Sequence, residues 1–333
     1  MKMDEITYNH AIKDYSIKED VDEYLGNILG DKFKVYREKW SEVSRMGKEL
    51  EFPPFLVLEP LWKCNLKCIM CLYSSPEKTS SLNYDEKMPW DMYEQILKEA
   101  AKYNLPSMSI GGHCEPFLDI RLIDMINLAR EAGIIDIMVN TNATLLSEEV
   151  SEKILKTGLT RLRVGFDGGT EETYEKIRVG SDFTKVKNNI INFVRMRDKL
   201  KLKLPVVRVS CVHLSVNDQH IDEFIKYWIE KVDYVSVQKY RPHDLAEERS
   251  PGKMGVGEET HSIKCNEPWD RLYIRGNGDV YSCCHPAYGP KVGNLKSASL
   301  YNIWNSKIMK QLRYATKNND WKLTPECRKC RAI

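Results

Sequence analysis

Apolar positions along this chain fall into two periods. Six short apolar runs, Phe55–Leu58, Ser107–Ile110, Asp136–Asn140, Arg161–Phe166, Val206–Val212 and Tyr234–Val237, read as strands. Among them lie stripes at helical spacing: Tyr93, Ile96, Leu97 and Ala100; Leu122, Ile123, Ile126 and Ala129; Val186, Ile190, Phe193 and Val194. Strands alternating with helices predict a parallel sheet. Six such units predict an α/β fold, a partial (β/α)6 TIM-like barrel with its working residues at the C-terminal strand ends.

The flanks differ. Residues 1–52 predict a helical N-terminal extension, with Val21, Tyr24, Leu25 and Ile28 on one stripe, and Pro53-Pro54 stops any helix there. The barrel is expected over 53–242. Residues 243–262, rich in Pro, Gly and charge, read as a linker. A small α+β domain is expected over 263–333. In it, Leu272–Arg275 and Asp279–Ser282 flank Gly276-Asn277-Gly278 as a hairpin, and Leu300, Ile303, Trp304, Ile308 and Leu312 mark one amphipathic helix.

Charge narrows the function. Fifty Lys and Arg against 48 Asp and Glu give +2, without the basic excess of a nucleic-acid enzyme. The first residues are polar, with no signal-peptide core, and no apolar run approaches the roughly 20 residues that span a bilayer. A cytoplasmic protein away from membranes is the expectation. There the ten cysteines would be reduced, and metal binding or catalysis explains a cluster of them better than disulfides do.

Such a cluster is Cys64-x3-Cys68-x2-Cys71, just after the first barrel strand. Soft thiolates so closely spaced suit iron–sulfur or zinc. Structural zinc takes four ligands; a [4Fe-4S] cluster on three thiolates keeps one iron open. A zinc loop or three core cysteines are the alternatives.

At these residues the chain resembles the radical S-adenosylmethionine superfamily, whose motif is CxxxCxxC with an aromatic or large apolar residue before the last cysteine; Met70 fills that place. The resemblance implies that S-adenosylmethionine chelates the open iron. One electron, from a flavodoxin or ferredoxin-type donor, then yields a 5′-deoxyadenosyl radical that abstracts hydrogen from substrate. Gly111-Gly112-His113-Cys114-Glu115-Pro116 resembles the family's GxGEP segment, implying cofactor contacts at Gly112 and Glu115. Asn140-Thr141-Asn142-Ala143-Thr144-Leu145 resembles its TNGTLL, bringing in Asn142. Val164-Gly165-Phe166-Asp167-Gly168 resembles SLDG, with Gly165 where the family has Ser. Arg178 matches an arginine that pairs with the cofactor carboxylate. Cys114, Ala143 and Gly165 depart from the family pattern.

Cys265, Cys283, Cys327 and Cys330 follow the linker, with Cys284 beside Cys283 as an alternative ligand. The stretch Gly278–Cys283 and Ser299–Trp304 look like a SPASM-type auxiliary domain in its shortened, twitch form. That resemblance implies a second [4Fe-4S] cluster, closed by four thiolates, with a structural zinc as the alternative. In related twitch enzymes such a cluster accepts an electron as a sugar-like secondary alcohol becomes a ketone; a cavity thiol would give epimerisation instead. Cys211 is the candidate thiol, sharing a strand face with His213, and Gln238, Tyr240 and Arg241 are candidate substrate ligands. A sugar, aminocyclitol or nucleotide sugar is the favoured small-molecule substrate, because residues 1–52 look helical and too short for a leader-binding module. A ribosomal peptide or protein partner is the alternative.

Overall fold

The computed structural model describes residues 12–16, 20–71, 74, 86–240, 265–284, 289–320, 322, 324 and 327. Ten strands form one sheet: β1 (Ile12–Tyr15), β2 (Phe55–Glu59), β3 (Ser107–Ile110), β4 (Asp136–Thr141), β5 (Arg161–Gly165), β6 (Val206–His213), β7 (Tyr234–Lys239), β8 (Arg271–Arg275), β9 (Asp279–Tyr281) and β10 (Lys291–Asn294). Their order is β1-β7-β6-β5-β4-β3-β2-β8-β9-β10. The six sequence-predicted strands are β2 to β7. They run parallel in chain order, as right-handed strand–helix units require.

The two faces of these strands explain the barrel. On β5 and β6, Leu162, Val164, Val207, Val209 and Cys211 point to the helix layer and join the main apolar core. Alternate residues, Arg163, Gly165, Arg208 and Ser210, face the barrel interior instead. The core's other side comes from helices α3 (Trp90–Lys102), α4 (Leu122–Glu131), α5 (Glu148–Leu155), α6 (Glu171–Ile177), α7 (Phe183–Lys199) and α8 (Ile221–Trp228). Ser147, Thr170 and Asp182 start α5, α6 and α7 by accepting from backbone N–H groups one turn on. Among the described residues no helix is long and apolar enough to cross a membrane.

Three elements depart from the sequence expectation. Residues 1–52 are not purely helical. β1 adds antiparallel to β7, and Ser236 Oγ donates to Asp14 across the pair. The two helices behind it, α1 (Val21–Leu29) and α2 (Asp31–Ser44), place Leu25, Phe33 and Tyr36 against Val206 and Tyr234 at the N-terminal ends of β6 and β7. They therefore plug the lower mouth of the barrel. Next, Leu272–Arg275 does pair as a hairpin with β9, but its other edge is parallel to β2, from Phe55↔Arg271 to Glu59↔Arg275. Finally, the amphipathic helix is two, Leu300–Trp304 and Lys307–Asn318. Ser306 Oγ accepts from Met309 N and restarts the turn. The phase shifts, so Met309 is buried and Ile308 is 47% exposed.

Candidate active site

The three clustered cysteines lie on the loop leaving β2, at the C-terminal mouth of the barrel. Backbone bonds hold this loop from two sides: Lys67 N to Val179 O (2.9 Å) and Ile69 N to Ile177 O (3.0 Å) at the C-terminal end of α6, and Glu115 N to Lys63 O (2.9 Å) after β3. Cys64, Cys68 and Cys71 all line one cavity of about 460 Å³ that descends into the barrel. Met70 lines it too and packs with Ile177, Leu214 and Tyr240. Leu66 N donates to Cys64 Sγ at 3.5 Å, and Asn142 Nδ2 lies 3.9 Å from it. Burial pushes the Cys64 and Cys68 thiols up. Loading with iron must then release protons, because the thiolate is the ligand.

The loop after β3 depends on glycine. Gly111 has φ +89°, and a Cβ there would meet Pro116 Cγ at 2.9 Å; one on Gly112 would meet Glu59 Oε1 at 2.9 Å. Glu59 is buried, accepts from His113 N at 3.2 Å and pairs with His113 Nδ1 at 2.5 Å. Glu115 turns inward: it accepts from Phe117 N (3.2 Å), Thr141 Oγ1 (2.8 Å) and Asn142 N (2.7 Å). Burial raises its pKa to about 7 against those donors. Glu115 thus ties the β3 loop to the β4 loop. Asn142 completes the tie through Asn65 Oδ1 (2.9 Å) and Thr144 Oγ1 (2.6 Å). Ala143 adopts φ +56°, the left-handed region that the family's glycine enters freely.

After β5, Asp167 is buried between two partners. Its Oδ1 accepts from Val212 N at 2.7 Å, and its Oδ2 accepts from Arg178 Nε at 2.6 Å. The guanidinium of Arg178 fills the space above Gly165, where a Cβ would lie 2.2 Å from Nη2. The missing family serine is therefore the room that Arg178 occupies.

The family profile described as Radical SAM superfamily matches residues 60–228, and an iron-sulfur cluster-binding (SPASM) domain matches 265–331. This chain is a radical SAM enzyme. A Pyrococcus furiosus protein described as a tungsten-containing aldehyde ferredoxin oxidoreductase cofactor-modifying protein is 24% identical, covering 83% of this chain and 86% of its own. A GTP 3',8-cyclase of Clostridium botulinum is 28% identical, over 49% of each chain, so this chain spans about half of that relative. Among solved structures, Streptococcus suis SuiB bound to its precursor peptide SuiA superposes with a TM-score of 0.58 at 17% identity, covering 83% of this chain and 69% of SuiB. That likeness concerns the fold.

S-adenosylmethionine and [4Fe-4S] clusters are the cofactors of this radical SAM and SPASM chain. The site fits them: three cysteines open onto one cavity, with donors at Cys64 Sγ, and Met70, Gly112, Asn142 and Arg178 line the same space. Glu115 also borders it, with its carboxylate spent on the loop contacts above.

The other candidates separate. Gln238 lines the cavity. Tyr240 does not; it packs behind the cysteine loop with Ile177 and Leu214. Cys211 sits on the helix-facing side of β6, alternating with the cavity residues Arg208 and Ser210; it is 1% exposed, accepts from Asn217 Nδ2 at 3.4 Å, and burial pushes its thiol well up. It therefore has no access to a substrate in the barrel. Cys265, Cys283, Cys284 and Cys327 are half-buried, while Arg241 and Cys330 lie outside the described residues. Cys284 reaches the barrel cavity and packs on Phe55 and Tyr273.

The cavity also holds residues that sequence reasoning passed over: Ser109, Asn140, Arg163, Arg208, Ser210, Arg271 and Tyr273. A signal existed for two of them. Arg163 alternates with Leu162 and Val164, and Arg208 with Val207 and Val209, which places charge on the inner face of buried strands.

Proposed function

We propose that this radical SAM enzyme acts on a small hydroxylated molecule, of the sugar or aminocyclitol kind, and oxidises a secondary alcohol to a ketone. The observation that carries this reading is the cavity under Cys64, Cys68 and Cys71. The cofactors take its cysteine end, so its volume of about 460 Å³ bounds substrate and S-adenosylmethionine together. Its walls below the cysteines present hydroxyl, amide and guanidinium groups: Ser109, Asn140, Arg163, Arg208, Ser210 and Gln238. A polyol gains hydrogen bonds to such walls, and those bonds hold one carbinol carbon toward the cysteine loop.

When bound, the cofactors supply a radical that takes one hydrogen atom and, in the C-terminal region, an acceptor for the second electron. The chain's own part is positioning. Arg178, clamped by Asp167, stands over Gly165 as the group for a cofactor carboxylate, and Asn142 steadies Cys64. The placement of Cys211 outside the cavity favours oxidation over hydrogen return from that thiol. Cys265, Cys283, Cys327 and Cys330 are the proposed ligands of the auxiliary cluster, and a flavodoxin or ferredoxin-type protein the electron donor.

The test uses anaerobically reconstituted protein, dithionite, S-adenosylmethionine and a panel of carbinol-deuterated polyols and their phosphates. Deuterium should pass into 5′-deoxyadenosine as a ketone two mass units below the unlabelled alcohol forms. Ketone formation without deuterium in 5′-deoxyadenosine would refute the proposal. So would turnover of short peptides and of no polyol.

A further inference from the structure

Four arginines and one glutamate line the barrel cavity. Two of those arginines are matched behind the wall: Arg178 by Asp167 at 2.6 Å, and Arg271 by Asp270 at 2.5 Å and Glu267 at 3.7 Å. Just below the cavity, Arg161 is likewise matched by Asp136 at 2.9 Å and Asp22 at 3.2 Å. Arg163 and Arg208 are different. They are register partners on β5 and β6, and both face the interior. Among the described residues neither guanidinium has a carboxylate within ion-pair distance, and Arg208 Nε is buried without a hydrogen-bond partner. Asp136, the carboxylate that acts on Arg163 through space, is paired with Arg161, whereas Asp14, which acts on Arg208, accepts only from the neutral Ser236 hydroxyl and borders the small space beneath the pair. Burial, and for Arg163 also the neighbouring Arg208, pull both groups below the usual arginine range.

Two adjacent cations that share only the Asp14 carboxylate, at a distance beyond ion pairing, keep a net positive charge, which is costly inside a barrel unless something supplies the remaining countercharge. We propose that Arg163 and Arg208 form an anion site at the floor of the cavity, and that the substrate carries a phosphate group that binds there. This rests on reading the cavity as the substrate chamber. Paired guanidinium forks match the oxygens and double charge of a phosphate monoester. The geometry agrees with the chemistry above it. Arg163 and Arg208 lie two residues deeper than Gly165 and Ser210, or about 7 Å along the strands. A phosphate held there leaves about the length of a sugar ring before the level of Arg178 and the cysteine loop.

The test titrates inorganic phosphate into the full-length reconstituted protein saturated with S-adenosylmethionine, read by calorimetry. Wild type should bind phosphate saturably. R163M/R208M should weaken that binding at least tenfold, and R163K/R208K, which keeps the charge, should recover part of it and stands in if the methionine pair fails to fold. Equal phosphate binding by wild type and R163M/R208M would overturn the proposal. So would phosphate binding that appears only when S-adenosylmethionine is left out, or an equal fall in affinity for that cofactor in R163M/R208M, since the pair would then serve its carboxylate. Phosphate binding without oxidation of any alcohol would sink the dehydrogenase reading and keep the anion site. Oxidation of a neutral polyol by a protein indifferent to phosphate would do the reverse.

Discussion

Restoring the family serine, Gly165→Ser, should damage the site it would be expected to repair. A Cβ at 165 lies 2.2 Å from Arg178 Nη2 and 3.0 Å from its Cζ. The guanidinium is the far end of a flexible side chain, but it is not free to swing. Nε is bound to Asp167 at 2.6 Å, and Asp167 is fixed by Val212 N at 2.7 Å. Serine must therefore either loosen that buried pair or push β5 aside, and overpacking of this kind costs about 2 kcal/mol. With 333 residues at about 2.1 cal/mol/K each, the unfolding entropy is about 0.7 kcal/mol/K. The Tm should then fall by about 3 °C. Anaerobic thermal unfolding measures this directly, alongside binding of S-adenosylmethionine, which should weaken. Arg178→Lys in the same background removes the clashing nitrogens, so the double variant should lose less than the two single losses added together. A G165S protein with unchanged Tm and cofactor affinity, or strict additivity with R178K, would show that Arg178 yields freely and that the glycine is not its space.

Other outcomes follow from the same contacts. Glu115 has a folded pKa of about 7 against an ordinary 4.5, so the fold holds a proton that the unfolded chain has released. Its contribution to stability falls as pH rises through that window. E115Q should flatten the decline, and identical urea-unfolding pH profiles of cluster-free wild type and variant would refute this. Cys211→Ala should cost about 1 kcal/mol of packing and its Asn217 contact while alcohol oxidation continues; loss of turnover in a folded variant would return Cys211 to the chemistry. Replacing Cys64, Cys68 and Cys71 together with Ala should lower iron from about eight to about four per chain. Retention of all the iron would mean the loop holds no cluster, and one zinc beside four irons in wild type would deny the second one.

Much of this was readable from residue order. Short apolar runs separated by helical stripes marked β2 to β7, because burying both faces of a parallel sheet calls for apolar residues along most of each strand. The cysteine spacing located the mouth of the barrel for a chemical reason that needs no coordinates. What escaped the sequence depended on long-range pairing. β1 reads Ile-Lys-Asp-Tyr, with two charged residues at its centre and no apolar run to mark it. The alternation of Arg163 and Arg208 with apolar neighbours marks an inward charge on each strand, but only pairing puts the two side by side. Cys211 was misplaced for a related reason: the chain shows alternation, but which alternate set meets the cavity is fixed by what packs outside. Gly165 reads in the sequence as a missing hydroxyl, whereas in the fold it is a gap filled by Arg178.

The pairing of β8 with β2 also bears on how the protein is made. Phe55 and Arg271 are partners across 216 positions of sequence. As the chain leaves the ribosome, β2 can join β3 early, yet its opposite edge waits for nearly all the rest to be synthesised. Closing so distant a contact is slow, and an unpaired inner strand invites pairing with other chains meanwhile. Shortening the C-terminal region would therefore strip more than an auxiliary cysteine set. It would uncover the strand that carries the catalytic loop, and low soluble yield rather than a clean loss of iron should be the first symptom.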